Sequence, residues 1–156
     1  MIAVLGVGNL LMRDDGVGVH VAQALARGTL PPGVEVIDGG TAPDAAHLAA
    51  PHQRVIVVDA ARGGGAPGTI YRFTTADVAR RPGVACCHDA GAIAELAAVA
   101  EDDGREIVII GVEPEEIGWG MSLSPTIAAR LDAVVVAVRQ EIESGGVHAR
   151  NRAQTD

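Results

Sequence analysis

Asp14 and Asp15 stand side by side between glycines in the opening stretch MIAVLGVGNLLMRDDGVGVH. An apolar run that breaks into a glycine turn and then paired acids buries little core. It presents carboxylates at the top of a sheet. Other chemistry-bearing residues fall at comparable places. Asp38 ends a short strand-like run just before Gly39, Gly40 and Thr41, and Asp59 follows VIVV directly. Glu113 follows IVIIGV, and His88 precedes a helical pattern. Two carboxylates and a histidine supply the hard oxygen and borderline nitrogen donors that suit a divalent transition metal, with open positions for water or a substrate group.

Each residue has a plainer reading. Asp15 suits the first turn of a helix through the macrodipole. Asp38 is a turn residue before Gly-Gly, and Asp89 beside His88 is a helix cap. Asp59 is harder to set aside, because a carboxylate that ends a buried run needs a partner or a task. His20, His47, His52 and His148 read as surface or packing residues. Cys86 and Cys87 could offer soft metal ligands beside His88, but no second cysteine pair accompanies them, and small buried residues are the simpler reading.

The elements that position these groups follow from periodicity. Five strand-like runs cover Ile2–Val7, Val34–Asp38, Arg54–Ala60, Gly68–Thr74 and Glu106–Val112. The first, third and fifth are continuously apolar, as central strands covered on both faces must be. Helical patterns span Val17–Ala26, Asp44–Ala50, Ala90–Ala100 and Pro125–Ile142, the last opened by Ser124 as N-cap and Pro125 at the first helical position. The alternation predicts a three-layer α/β/α fold with a twisted, mostly parallel five-stranded sheet. The ARGGGAP connection is too short for a crossover helix, so strand four should run antiparallel to strand three. Residues 1–144 are expected to form one α/β domain and residues 145–156 a flexible, frayed tail. In such sheets ligands bind outside the carboxyl ends of the parallel strands. Asp14, Asp15, Asp38, Asp59 and Glu113 all fall on that rim. His88 joins them, because a helix feeding a parallel strand starts at the same edge.

The 156 residues carry a formal net charge of −8, which disfavours a nucleic-acid partner. Adjacent cysteines predict reduced thiols and a cytoplasmic protein. No leader is evident, and no run reaches the roughly 20 apolar residues of a membrane span. Gly6-Val-Gly8 also suggests a Rossmann-like dinucleotide fingerprint, with Asp38 as the ribose-binding acid. Leu11 stands where its third glycine belongs, and Asp14 and Asp15 would crowd a pyrophosphate with negative charge.

The motifs GVGNLLMRDDGVGVHVAQAL, GGT after strand two, VVDA, CHDAG and IGVEPEEIGWGMSLSP resemble the hydrogenase maturation endopeptidases, in order, over roughly Ile2 to Ile142. The resemblance implies an α/β domain with a mostly parallel five-stranded sheet. It implies an aspartic-type or metal-dependent endopeptidase that removes a C-terminal extension from the large-subunit precursor of a nickel–iron hydrogenase. By residue, it implies metal contact at Asp15, Asp59 and His88, with the nickel supplied by the precursor. It also implies a role in cleavage for Asp38, alongside Asp15 and Asp59. Ala42-Pro43-Asp44 departs from the commoner family pattern after Gly-Gly-Thr. The glycines of the opening stretch would then leave room for a bulky protein substrate. The competing readings are a dinucleotide-binding protein and a non-catalytic metal-binding maturation factor.

Overall fold

Strands covered by helices on both faces must be apolar on both, and the three continuously apolar runs do lie side by side. The computed structural model describes residues 1–41, 44–80, 85–86, 98 and 102–153. In it, β1 (Ile2–Val7), β2 (Val34–Gly40), β3 (Arg54–Arg62), β4 (Ile70–Thr74) and β6 (Glu106–Val112) form a sheet in the order β2-β1-β3-β6-β4. β5 (Ala85–Cys86) is a two-residue strand paired antiparallel to the end of β3. β1, β2, β3 and β6 are parallel, and β4 runs antiparallel to β6.

Alternation sorts the side chains onto two faces. Leu5, Val7, Val55, Val57, Phe73, Ile107 and Ile109 pack on one, together with Ala49 of α2 (Ala45–Ala49). Val4, Ile56, Val58, Val108 and Ile110 pack on the other. There they meet Val17, Val21 and Leu25 of α1 (Val17–Ala26) and Ile127, Val134, Val138 and Ile142 of α4 (Pro125–Ala153). The expected three-layer architecture is present, with β4 antiparallel as its short connection requires.

β4 nevertheless pairs with β6 and not with β3, its neighbour in sequence. The connecting loop crosses the end of β6 and is fastened there by Glu113. The carboxylate of Glu113 accepts from Gly63 N–H at 2.7 Å and from the Tyr71 hydroxyl at 3.0 Å. Its main chain bonds Gly68 and Thr69. Burial, aided by the Glu113 carboxylate, pushes the Tyr71 phenol up from its ordinary pKa and keeps it a donor.

The Ser124 hydroxyl accepts from Ile127 N–H, the N-cap bond its position predicts. Asp44 sits at the N-cap of α2 but makes no side-chain cap bond. α3 (Thr75–Arg80) is not predicted by the apolar pattern, although its cue is in the sequence: Thr74 and Asp77 bond reciprocally as a capping box. α4 continues to Ala153, past the Ile142 end that the apolar pattern predicts. A Cβ at Gly145 would lie 2.7 Å from Arg54 Nη1, so the bare glycine lets the guanidinium rest against the helix there. The helix predicted over Ala90–Ala100 lies outside the described residues apart from position 98, as do Cys87, His88 and Asp89. Among the described residues, no helix is long and apolar enough to cross a membrane.

At the edge of the sheet remote from the acids, Glu141 is buried between two arginines. It pairs with Arg54 and receives Arg72 Nε at 2.8 Å, while Arg54 also meets Glu106 at 3.1 Å. The Arg72 hydrogen bond, then the positive charges of Arg72 and Arg54, hold the Glu141 carboxyl below its ordinary 4.5 against the opposing effect of burial. A depressed folded-state pKa contributes stability that is full above the unfolded value and is lost as pH falls through the folded one. Glu141→Gln should therefore cost about 3 kcal/mol at pH 7, because it leaves Arg54 buried without that charge. It should also flatten the loss of stability below about pH 4.5. Urea melts across this pH range check both; parallel stability curves for the two proteins would refute the assignment.

Candidate active site

The loop after β1 is built by close backbone approach. Gly8 has φ +140°, and a Cβ there would fall 1.9 Å from the Asp15 carbonyl oxygen. At Gly18 a Cβ would fall 2.1 Å from the Val58 oxygen and 2.4 Å from the Val7 oxygen. Bare glycine at these positions lets the start of α1 press onto the ends of β1 and β3. The 3₁₀ turn Arg13–Gly16 is thereby delivered to the end of β3. Gly8 and Gly18 therefore do not leave room for a substrate; the chain's own backbone fills the space beside them.

The two adjacent acids take different environments. Asp14 is fully buried and its carboxylate is a clasp. It accepts from the main-chain N–H groups of Glu115 (3.0 Å), Glu116 (2.8 Å) and Ser124 (2.8 Å) and from the Ser124 hydroxyl (2.8 Å). It thus joins the loop after β1 to the loop after β6 and to the cap of α4. Asp15 is buried to 5% exposure, and its Oδ2 accepts from Asn9 N–H at 3.0 Å.

Asp59 is fully buried inside β3, which continues past it to Arg62, and its Oδ1 accepts from Ala60 N–H at 2.8 Å. Asp38 lies on the same rim but in a different setting. It is exposed on the outer strand β2, with Oδ1 closing an Asx turn onto Gly40 N–H at 3.0 Å. Gly6 pairs with Asp38 on one side and Val58 on the other, so Asp38 and the end of β3 are two strand spacings apart, roughly 10 Å between main chains. Consecutive donors connect the Asp38 turn with Asp15: Gly8 N–H bonds the Gly40 oxygen at 2.8 Å, and Asn9 N–H bonds the Asp15 carboxylate. The Asp38 turn and the Asp15 side chain therefore hang from neighbouring peptide groups.

His88 lies outside the described residues. Among the described residues no three His, Cys, Asp or Glu side chains gather into a metal-sized cluster. His52 is a packing residue, bonded to Glu35 at 2.7 Å, and His47 is exposed. Burial, with Arg27 adding to it, lowers the pKa of His20 on α1.

A family model described as hydrogenase maturation protease matches residues 19–141. The chain belongs to the hydrogenase maturation proteases. It is 32% identical to the hydrogenase 2 maturation protease of Escherichia coli, over 95% of this chain and 94% of that protein. It is 34% identical to the hydrogenase expression/formation protein HupD of Thiocapsa roseopersicina, over 97% and 72% of the two chains. Among solved structures, the hydrogenase maturating endopeptidase HybD of E. coli superposes with a TM-score of 0.76 at 29% identity, covering 93% of each chain. The [NiFe] hydrogenase maturation protease HybD of Thermococcus kodakarensis does so with 0.74 at 27%, covering 89% of this chain and 97% of that one.

As a member of this family the protein is a peptide-bond hydrolase, and the dinucleotide reading falls away. Its physical objection is visible in the loop: the space a pyrophosphate would need beside Gly8 is taken by the Asp15 backbone. In this maturation protease the glycine-rich opening serves to hold acids and not phosphate. Sequence reading did not single out Leu11, Trp119 and Met121, three exposed large apolar side chains on the two loops that the Asp14 carboxylate joins. An aromatic residue in a Gly-Trp-Gly context was the available cue.

Proposed function

We propose that the protein makes one cut that removes the C-terminal extension from a nickel-loaded nickel–iron hydrogenase large-subunit precursor. The observation that carries this reading is the pair of consecutive N–H groups, Gly8 and Asn9, that fasten the exposed Asp38 turn and the buried Asp15 carboxylate to one loop. Asp15, Asp59 and His88 would contact the nickel the precursor brings. Carboxylate and imidazole donors suit it, and it would polarise the scissile carbonyl. Asp38, open to solvent, takes the proton from the attacking water as general base. His88 enters as the third ligand from the CHDAG motif of the sequence. The reduced reading of Cys86 and Cys87 assigns the reaction to the cytoplasm.

The test is incubation with nickel-loaded and nickel-free precursor, followed by mass spectrometry of the products. Cleavage only of the loaded form is expected. Intact precursor in both reactions would overturn the proposal, and cleavage in both would remove nickel from recognition.

A further inference from the structure

Leu11 is 49% exposed, Trp119 81% and Met121 68%. All three leave the backbone within one residue of a single bridge, Met12 to Gly120. Gly120 N–H donates to the Leu11 oxygen at 2.9 Å, and Arg13 N–H donates to the Gly120 oxygen at 2.9 Å. Arg13 adds a side-chain bond to the Trp119 oxygen and an ion pair to Glu116 at 3.5 Å, and it holds φ +52°, which a non-glycine residue adopts only under firm support. The Asp14 clasp anchors the same loop at both ends, at Glu115 and Glu116 and at Ser124. Exposed aromatic and thioether side chains presented on a firmly held loop have the composition of an interface anchor.

We propose that Leu11, Trp119 and Met121 form the docking surface for the hydrogenase precursor, gripping an apolar segment flanked by lysine or arginine. This rests on the function proposed above. Two observations choose that occupant. The patch is continuous with the acid rim, because Met12 accepts from the Asp15 N–H and Asp14 ties the Trp119 loop to the turn that carries Asp15. Exposed Glu115 borders it, next to the Arg13–Glu116 ion pair, in a chain of net charge −8, which favours a basic flank and disfavours a second copy of the same acidic surface. A substrate anchored here is held beside Asp15 without crowding the glycine loop.

Trp119 is the chain's single tryptophan, so protein labelled with 5-fluorotryptophan gives one fluorine resonance. Adding unlabelled nickel-loaded precursor should shift it, and Trp119→Ala and Met121→Ala should each keep the melting temperature while raising the precursor Kd ~30-fold. An unmoved resonance, or variants that bind and cut like the parent, would overturn the docking surface and leave the proposed function standing. A parent protein that neither binds nor cuts the precursor would overturn both. A concentration-dependent dimer in sedimentation that Trp119→Ala abolishes would instead assign the patch to self-association.

Discussion

Asp38→Asn is expected to bind the nickel-loaded precursor as tightly as the parent protein and to cut it about 10²–10⁴ times more slowly. The substitution isolates one property. Asparagine keeps the side-chain oxygen that accepts from Gly40 N–H, so the Asx turn and its tie to Gly8 persist. What disappears is the capacity to accept a proton. The exposure of Asp38 makes a structural explanation for lost activity weak, since an exposed isosteric change costs little stability. Single-turnover cleavage with saturating precursor, beside a binding isotherm, separates the two effects. Undiminished cleavage would remove Asp38 from the chemistry.

Asp14→Ala should show the opposite pattern: a loss of stability first, with activity following it. The change strands three main-chain N–H groups and the Ser124 hydroxyl that now share one carboxylate. Bonds to a charged acceptor are each worth about 1.5–3 kcal/mol, and buried donors left unmet are costly. Some of these donors can reach water, so a net loss of about 4 kcal/mol is expected, lowering the melting temperature by roughly 10 °C. Asn should rescue little, because its amide turns new donors toward existing ones. The fluorine resonance of labelled Trp119 should broaden as the loop after β6 loosens, well below the melting temperature. An unchanged melting curve would show that the clasp carries no load.

The contrast between these neighbours marks where sequence reading reaches its limit. The motif GNLLMRDDGVG locates two acids at a strand end, and helix-entry position with family resemblance makes Asp15 the candidate for metal contact. Nothing local says that Asp14 meets donors 101 to 110 residues away. Periodicity likewise reports that VIVV and IVIIGV are covered on both faces, because burial on both sides removes polar residues from both. It cannot report that β6 inserts between β3 and β4, where Glu113 fastens the loop that connects those two strands.

By itself, then, the sequence determined the alternation of strands and helices, the antiparallel sense of β4, the Ser-Pro start of α4 and the gathering of acids on one rim. These all follow from local patterns of apolarity, capping and chain length. Only the tertiary structure decided which acid is a clasp, what fills the space beside Gly8 and Gly18, how far α4 runs and which apolar side chains stay outside. Those depend on contacts between segments far apart in the chain, and a residue's own neighbours in sequence carry no record of them.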